Sequence, residues 1–203
     1  MQVITCRRRR DMDETSQKII DATMALVRDK GYVATTTKDI ARLAGVNECT
    51  LFRKFQNKKD IVLHGMEQEK WRGNVTPDIF QKVEWDLEAD LPMFMREYMR
   101  RITPDFVNLS IGLRAPQLYE ETVSMIMKVP QAFLRSLTDY LNQMEEKGKL
   151  PHRDWEPLAM TFFSATFGYT FLKASFGERL TGVGQEEYIR ESAKVFLHGI
   201  LQD

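Results

Sequence analysis

The chain lacks the features that mark several common functional classes. Its 203 residues include two cysteines and three histidines, none paired at a ligand spacing, so we expect no disulfide framework, no metal site and no cofactor. A nucleophile elbow, a P-loop and a GxGxxG run are absent, and nothing indicates an enzyme. No apolar signal peptide precedes the first helix, and the apolar segment 158–176 carries Lys173 and several hydroxyl groups, which favours a buried helix over a membrane span. These absences favour a cytoplasmic protein.

Helical periodicity runs through the sequence, which has no convincing period-two alternation and no hairpin turn. We therefore predict an all-α fold. Glycine and capping residues divide the first third of the chain into four helices. The predicted helices are Ser16–Lys30 stopped by Gly31, a short helix from Thr36 and Asp39 to Gly45, Asn47–Phe55, and a helix from Asn57 to Trp71 closed by Gly73.

The apolar pattern of the remaining residues predicts a second and larger helical unit, whose helices are separated by prolines. Its clearest helices are Leu91–Ile102, Ile126–Met144, Trp155–Phe176 and Gln185–Leu201. We divide the chain into a charged, flexible leader at 1–14, a head at 15–72 and a body at 73–203.

Charge is distributed unevenly along a chain whose net charge is zero. Residues 1–60 contain 13 lysines and arginines against 8 acidic residues, and the remainder is acidic by the same margin. A basic head on an acidic body suits a polyanionic partner for the head alone. Arg7–Arg10 fit either a disordered solubilising tail, which we favour, or an arm that reaches a DNA minor groove.

Two short helices joined by a glycine turn and packed on a longer helix form a helix-turn-helix unit at about residues 35–54. The second helix of such a unit can enter a DNA major groove. Arginine, asparagine, glutamate and threonine on its outward face can each recognise a base edge, while lysines at the rim bind phosphates. The expected outward residues are Asn47, Glu48, Cys49, Thr50 and Arg53, with Lys54 and Lys58 beside them.

The order of motifs in this region resembles the amino-terminal signature of TetR-family regulators. The resemblance covers about residues 15–70 and is carried by Gly31-Tyr32, Thr35-Thr36, Ile40-Ala41, Ala44-Gly45-Val46, Thr50-Leu51-Phe52, Phe55 and Lys58. It implies a three-helix DNA-binding domain, a helical C-terminal ligand-binding and dimerisation domain, and a homodimer on a palindromic operator in double-stranded DNA.

By position, the resemblance also implies roles for single residues. Thr36 and Thr37 would lie near phosphate at the start of helix two, and Asn47–Thr50 with Arg53 would face base edges. Phe52, Lys54 and Lys58 would flank the DNA backbone. Cys49 and Phe52 depart from the glycine and tyrosine that are usual in the family, and both positions bear on operator preference.

In the body, the resemblance implies an effector cavity and a dimer interface. The expected cavity residues are Phe94, Tyr98, Met125, Phe133, Phe163 and Phe167, and their character indicates a small apolar or aromatic effector. The last two helices have surplus apolar surface, which favours an interface over burial within the monomer. The expected interface residues are Ala165, Gly168, Leu172, Ile189, Phe196 and Ile200.

The sequence therefore predicts a DNA-binding transcriptional regulator, specifically a ligand-responsive repressor. The alternative is a helical ligand-binding or protein-interaction module that does not bind DNA. A third possibility is an enzyme whose catalytic residues converge only in the folded chain. Cys49 is either a redox switch or, as we favour, a bystander thiol.

Overall fold

A computed structural model describes residues 13–68, 71 and 82–201, and within these ranges the chain is helical without a strand. The all-α prediction is confirmed. Arg7–Arg10 and Gly73 lie outside the described residues. The helices are α1 Glu14–Ala34, α2 Thr37–Ala44, α3 Glu48–Lys54, α4 Lys58–Met66, α5 Leu87–Arg101, α6 Pro104–Gly112, α7 Tyr119–Ile126, α8 Lys128–Glu146, α9 Glu156–Phe176 and α10 Gln185–Leu201.

Helices α1 to α4 form the head, which packs around a compact apolar core. Helix α1 begins at Asp13, whose carboxylate accepts a hydrogen bond from the Ser16 amide at 2.8 Å. Its helical geometry breaks at Gly31, as the sequence predicts. Helix α4 ends at Met66, earlier than the predicted Trp71. The fully buried side chains of this core include Ile19, Ile20, Met24, Ile40, Leu51 and Ile61.

The body differs from the prediction where one long helix was expected from Ile126 to Met144. The structure has two helices there, α7 and α8, with Met127 between them. Pro130 accounts for the break, because proline has no amide hydrogen to bond the carbonyl of Ile126 and its ring clashes with that carbonyl. Helix α5 begins four residues before the predicted Leu91, whereas α9 and α10 begin and end within one residue of the predicted limits.

Helix α6 contributes to both hydrophobic cores. Val107, near its beginning, is buried in the core of the body, whereas Leu109 and Leu113 are buried with α1, α3 and α4 in the core of the head. Leu118, which precedes α7, also lies in the head core. Parts of the predicted body, namely α6 and the residue that precedes α7, therefore pack with the head.

None of the helices in the described ranges is both long and apolar enough to cross a membrane.

Candidate nucleic-acid interface

The first helix of the helix-turn-helix, α2, is capped by side chains at its amino end. The Thr36 hydroxyl accepts a hydrogen bond from the Asp39 amide at 3.1 Å and donates one to the Asp39 carboxylate at 2.8 Å. That carboxylate also accepts from Lys30 at 2.6 Å and from Arg42 at 2.9 Å. The Lys30 bond is the main reason that the pKa of Asp39 falls to about 2. The predicted capping pair is therefore present, and it joins α2 to the last turn of α1.

The turn between α2 and α3 depends on Gly45 and Asn47. Gly45 has a φ of 69°, a left-handed conformation that strains a residue with a Cβ atom. Asn47 then caps α3, because its side-chain oxygen accepts a hydrogen bond from the Thr50 amide at 2.7 Å. The amide nitrogen of the Asn47 side chain still lies at an exposed position, at the end of α3 where the chain enters the helix.

The outward face of α3 follows from the position of Leu51, which is completely buried. At 100° per residue, Cys49 and Arg53 lie opposite Leu51, and both are exposed. Phe52 is 53% exposed beside them, and Thr50 lies half-buried on the other flank. Within the described part of the chain, Arg53 has no ion-pair partner. The face that α3 presents to solvent is thus an apolar surface with one positive charge.

Three of the predicted contact residues, Thr37, Glu48 and Lys54, are bonded to partners inside the head. The Thr37 hydroxyl donates a hydrogen bond to the Glu48 carboxylate at 2.6 Å, which links the first turns of α2 and α3. The Lys54 ammonium group bonds the Asp13 carboxylate at the start of α1, and this bond is the largest cause of an Asp13 pKa of about 2. Glu48 and Lys54 therefore brace α3, and each would have to leave its partner to contact DNA.

Lys58 lies farther inward than the sequence suggests. Its ammonium group donates to the carbonyl oxygens of Tyr32 at 2.7 Å and Thr35 at 2.6 Å, and it lies 4.1 Å from the centre of the Tyr32 ring. Burial lowers the pKa of Lys58. These contacts satisfy carbonyls at the end of α1, so Lys58 supports the fold of the head and its charge is not directed outward.

Sequence reasoning missed two exposed cations on α2. Lys38 and Arg42 lie one turn apart, on the side of the helix away from the buried Ile40 and Ala41, and the Arg42 side chain is 81% exposed. The i, i+4 spacing of two basic residues opposite an apolar stripe is the signal that would have found them. They add positive charge to the helix that precedes the turn into α3.

The predicted effector residues mostly pack against one another. The Tyr98 ring centroid lies 4.9 Å from that of Phe133 and 5.6 Å from that of Phe163, and Phe94 lies 6.2 Å from Phe133. Burial raises the pKa of Tyr98. Phe167 stacks on Phe171 at the edge of this cluster. The aromatic residues therefore form a filled core, and an effector could lie among them only if they separated.

Met125 lies instead beside a cavity of about 60 Å³ where the head meets the body, which we call the joint cavity. Its lining comes from α4 (Met66), α6 (Phe106, Leu109 and Ser110), α7 (Met125 and Ile126) and α8 (Lys128), with Trp71 and Leu113. Most of these side chains are apolar. This volume is well below the roughly 300–1,000 Å³ of drug-sized pockets, so an occupant of that size would have to enlarge it.

The predicted interface residues divide between the protomer core and the surface. Ile189 and Ile200 are 0% and 2% exposed, and the Phe196 ring packs edge-on against Phe162 at 5.0 Å. Ile189 and Ile200 therefore lie in the core of the protomer and not on its surface, whereas Phe196 is half-buried and its place in an interface stays a prediction. Ala165, Gly168 and Leu172 lie along an open groove of about 330 Å³ beside α9.

Helix α9 also presents a row of residues at four-residue spacing, which we call the α9 stripe. It consists of Met160, Ser164, Gly168, Leu172 and Phe176. Its large apolar members are 47%, 41% and 52% exposed in chain order. Val195 on α10 is 71% exposed. Such apolar exposure on consecutive turns is typical of a surface that a partner covers.

Two family models match the chain. Residues 19–64 match the bacterial regulatory proteins of the tetR family, and residues 91–199 match the C-terminal domain of AefR-like transcriptional repressors. The first match contains α2 and α3 with their turn, and the second covers nearly all of the body.

Relatives and solved structures extend these matches to almost the whole chain. YvkB of Bacillus subtilis (strain 168), an uncharacterized HTH-type transcriptional regulator, is 33% identical over 95% of this chain and 100% of its own. IcaR of Staphylococcus aureus, the negative regulator of the biofilm operon icaADBC, is 24% identical over 84% of this chain and 89% of its own. The transcriptional regulator FadR from Bacillus subtilis in complex with stearoyl-CoA superimposes with a TM-score of 0.64 at 18% identity, covering 91% of this chain and 98% of that one.

Proposed function

The chain belongs to the TetR family of bacterial regulatory proteins, and from that premise we propose a repressor that binds a palindromic operator as a homodimer and releases it when a small apolar molecule binds its body. The protein is a DNA-binding transcriptional regulator. It acts where the chromosome is accessible, in the cytoplasm. The observation that carries the proposal is the outward face of α3, held in place by bonds to the rest of the head.

The base-reading surface consists of Cys49, Thr50, Phe52 and Arg53. They lie on the solvent-facing side of a seven-residue helix that can lie in a major groove, and Asn47 caps its first turn. Arg53 can donate two parallel hydrogen bonds to a guanine. The apolar neighbours favour contact with thymine methyl groups. This surface predicts operator half-sites that combine guanine with thymine.

The phosphate-binding surface lies at the rim of the helix-turn-helix. Thr36 and Thr37 stand at the amino end of α2, where unsatisfied amide groups and the helix dipole favour an anion. Lys38 and Arg42 add two exposed cations on the same helix. We assign them the phosphate contacts that sequence reasoning gave to Lys58.

We assign the dimer interface to the α9 stripe together with Val195. Two copies of α9 and α10 can form a four-helix bundle, the arrangement that buries an apolar face from each subunit symmetrically. Ser164 and Gly168, at the middle of the stripe, allow the backbones to approach closely. Ile189 and Ile200 support this surface from beneath.

The effector would enter the body through the joint cavity. Its lining is apolar, and one wall is Met66 of the head while others come from α6 and α7. An occupant that enlarges the cavity therefore pushes against the head directly. FadR from Bacillus subtilis is described in complex with stearoyl-CoA, and fatty acyl compounds are the first class to test here. A coupling of about 1–3 kcal/mol between effector and DNA would weaken operator binding 5- to 150-fold.

Selection of bound duplexes from random DNA, at low salt and without effector, tests the proposal. We expect a two-fold-symmetric sequence whose half-sites are centred about 34–36 Å apart, one helical turn. If each dimer makes 6–10 phosphate contacts, affinity should fall by roughly 10³–10⁵ between 50 and 200 mM salt. Acyl-CoA esters of increasing chain length, added to the complex, should then release the duplex. Failure to retain any duplex would favour the module without DNA binding.

A further inference from the structure

We propose that Gly112 on α6 fixes the position of the head on the body and thereby selects the spacing between operator half-sites. The inference rests on the proposed function, since half-site spacing has meaning only for a dimer bound to DNA. It adds a residue outside the helix-turn-helix to those that determine which operator is chosen.

Gly112 lies against the backbone of α1. A Cβ atom placed on it would come 2.2 Å from the carbonyl oxygen of Val27 and 3.1 Å from the carbonyl carbon. Non-bonded carbon and oxygen atoms do not approach within about 3 Å, so a methyl group would force the two helices apart by roughly 1 Å. Val27 cannot easily yield, because it is completely buried in the core of the head.

The contact occurs at the helix that both cores share. Leu109 and Leu113, on either side of Gly112 in the sequence, are 2% exposed in the head core, while Val107 is 3% exposed in the body core. Close-packed interiors transmit small displacements because they have no free space to absorb them. A shift of α1 relative to α6 therefore moves the head with respect to the body.

Ion pairs at the edge of the joint are too exposed to hold this position alone. Arg28 of α1 bonds Asp105 of α6 at 2.9 Å, and Lys59 of α4 bonds Glu121 of α7, with side chains that are between 27% and 70% exposed. Exposed pairs of this kind contribute about 0–1 kcal/mol each. The position of the head thus depends chiefly on packing, and at Gly112 a single added carbon atom would meet the backbone of α1.

In the dimer, both heads are carried by bodies joined to each other. A change at each joint alters the distance or tilt between the two α3 helices, although each head alone is unchanged. The expected consequence is specific: recognition of one half-site persists, and recognition of two half-sites at the original spacing is lost.

Gly65 provides a matched control on α4. A Cβ atom there would also meet α1, but its nearest obstacle is the Sδ atom of Met24 at 2.6 Å, the end of a flexible side chain. Gly65, Met24 and the neighbouring Ile20 all belong to the head, so the strain that this methyl group creates stays within the head core. Gly65→Ala therefore introduces the same change against the same helix without separating head from body.

The experiment compares full-length wild type, Gly112→Ala and Gly65→Ala on three kinds of duplex. These are the selected operator, operators with one base pair added or removed between half-sites, and a short duplex with a single half-site. Circular dichroism and light scattering establish that each variant is a folded dimer. We expect Gly112→Ala to bind the single half-site within twofold of wild type and the original operator at least tenfold more weakly, with a different preferred spacing. Gly65→Ala should keep the wild-type spacing.

Leu109→Ala keeps the proposal testable if Gly112→Ala does not fold, because it loosens the same joint by removing atoms. It should reduce the ratio of affinities between the preferred and the next spacing at least threefold. The proposal is overturned if Gly112→Ala, or in its place Leu109→Ala, retains the wild-type spacing preference, or if half-site affinity falls as much as operator affinity. Wild type that binds the single half-site but shows no preferred spacing overturns this inference and leaves DNA binding intact, whereas wild type that binds no duplex overturns the proposed function itself.

Discussion

Substitution of Arg53 tests the reading surface most directly. Its side chain is exposed on the outward face of α3 and has no ion-pair partner in the described ranges, so Arg53→Ala leaves no group in the head without its partner. Such surface changes alter the free energy of unfolding by no more than about 0.5 kcal/mol. A guanidinium that binds one guanine through two hydrogen bonds contributes about 1–3 kcal/mol of discrimination. We therefore expect unchanged thermal stability and a Kd raised about 5- to 150-fold for each half-site that the substituted dimer contacts.

Fluorescence anisotropy measures this effect on the selected operator and on a set of duplexes that each differ at one base pair. Arg53→Ala should remove the preference for guanine at one position in each half-site and leave the other positions alone. Arg42→Ala is the control, since replacing an exposed arginine that binds phosphate should weaken binding to every duplex alike and reduce the salt slope by about 1 for each subunit. Uniform weakening by Arg53→Ala would make Arg53 a phosphate contact. No effect at all would mean that this face of α3 does not enter the groove.

Four further predictions concern the head, the operator and the body. Lys58→Met removes the charge that satisfies the last carbonyls of α1, so urea unfolding should show a loss of about 1–2 kcal/mol while the DNA affinity of folded protein stays the same. Replacement of an operator thymine by uracil removes one methyl group. At one or more positions that face Cys49 and Phe52, this replacement should lower the affinity of the protein for the duplex about fourfold. In the Phe52→Ala variant, the thymine and uracil duplexes should bind equally well. Hydrogen bonding to Arg100 is the main cause that lowers the pKa of Glu97 from 4.5 to about 2, so its contribution to stability is complete above pH 4.5 and disappears as the pH falls toward 2. Unfolding of a Glu97→Gln variant between pH 2 and 6 should lack that loss. Leu172→Glu places a charge in the α9 stripe and should yield a monomer in sedimentation, whereas a persistent dimer would reject the assigned interface.

Local signals made the helices of the head predictable. Gly31 and Gly45 interrupt helices because their backbones adopt positive φ values, and Thr36 and Asn47 begin helices because their side chains accept the bonds of free amides. Each of these effects acts within a few residues in the sequence. Of the predicted outward residues of α3, Cys49 and Arg53 are exposed opposite the buried Leu51, whereas Glu48 and Thr50 are half-buried.

The predictions that the structure modified depend on contacts between distant parts of the chain. Lys58 reaches carbonyls that are 23 and 26 residues away, and Glu48 reaches a hydroxyl 11 residues away, so no local pattern shows that either side chain already has a partner. Ile189 and Ile200 belong to an apolar face, but the sequence cannot indicate whether a neighbouring helix or a second subunit covers it. Pro130 is the exception, because a proline disturbs the helix at the residue four positions before it, here Ile126, and this effect is local.

The small reading surface explains why the position of the head matters so much to function. The outward face of α3 carries one arginine, so a single head gains little affinity from its base contacts. Two joined heads gain far more, because binding of the first raises the effective concentration of the second to about the millimolar range. That gain is lost whenever geometry prevents both heads from binding together. Under the proposed arrangement, a displacement of about 1 Å at each joint is transmitted through the close-packed cores and turns a tightly bound dimer into two weakly bound heads; the joint cavity lies where an effector could produce it.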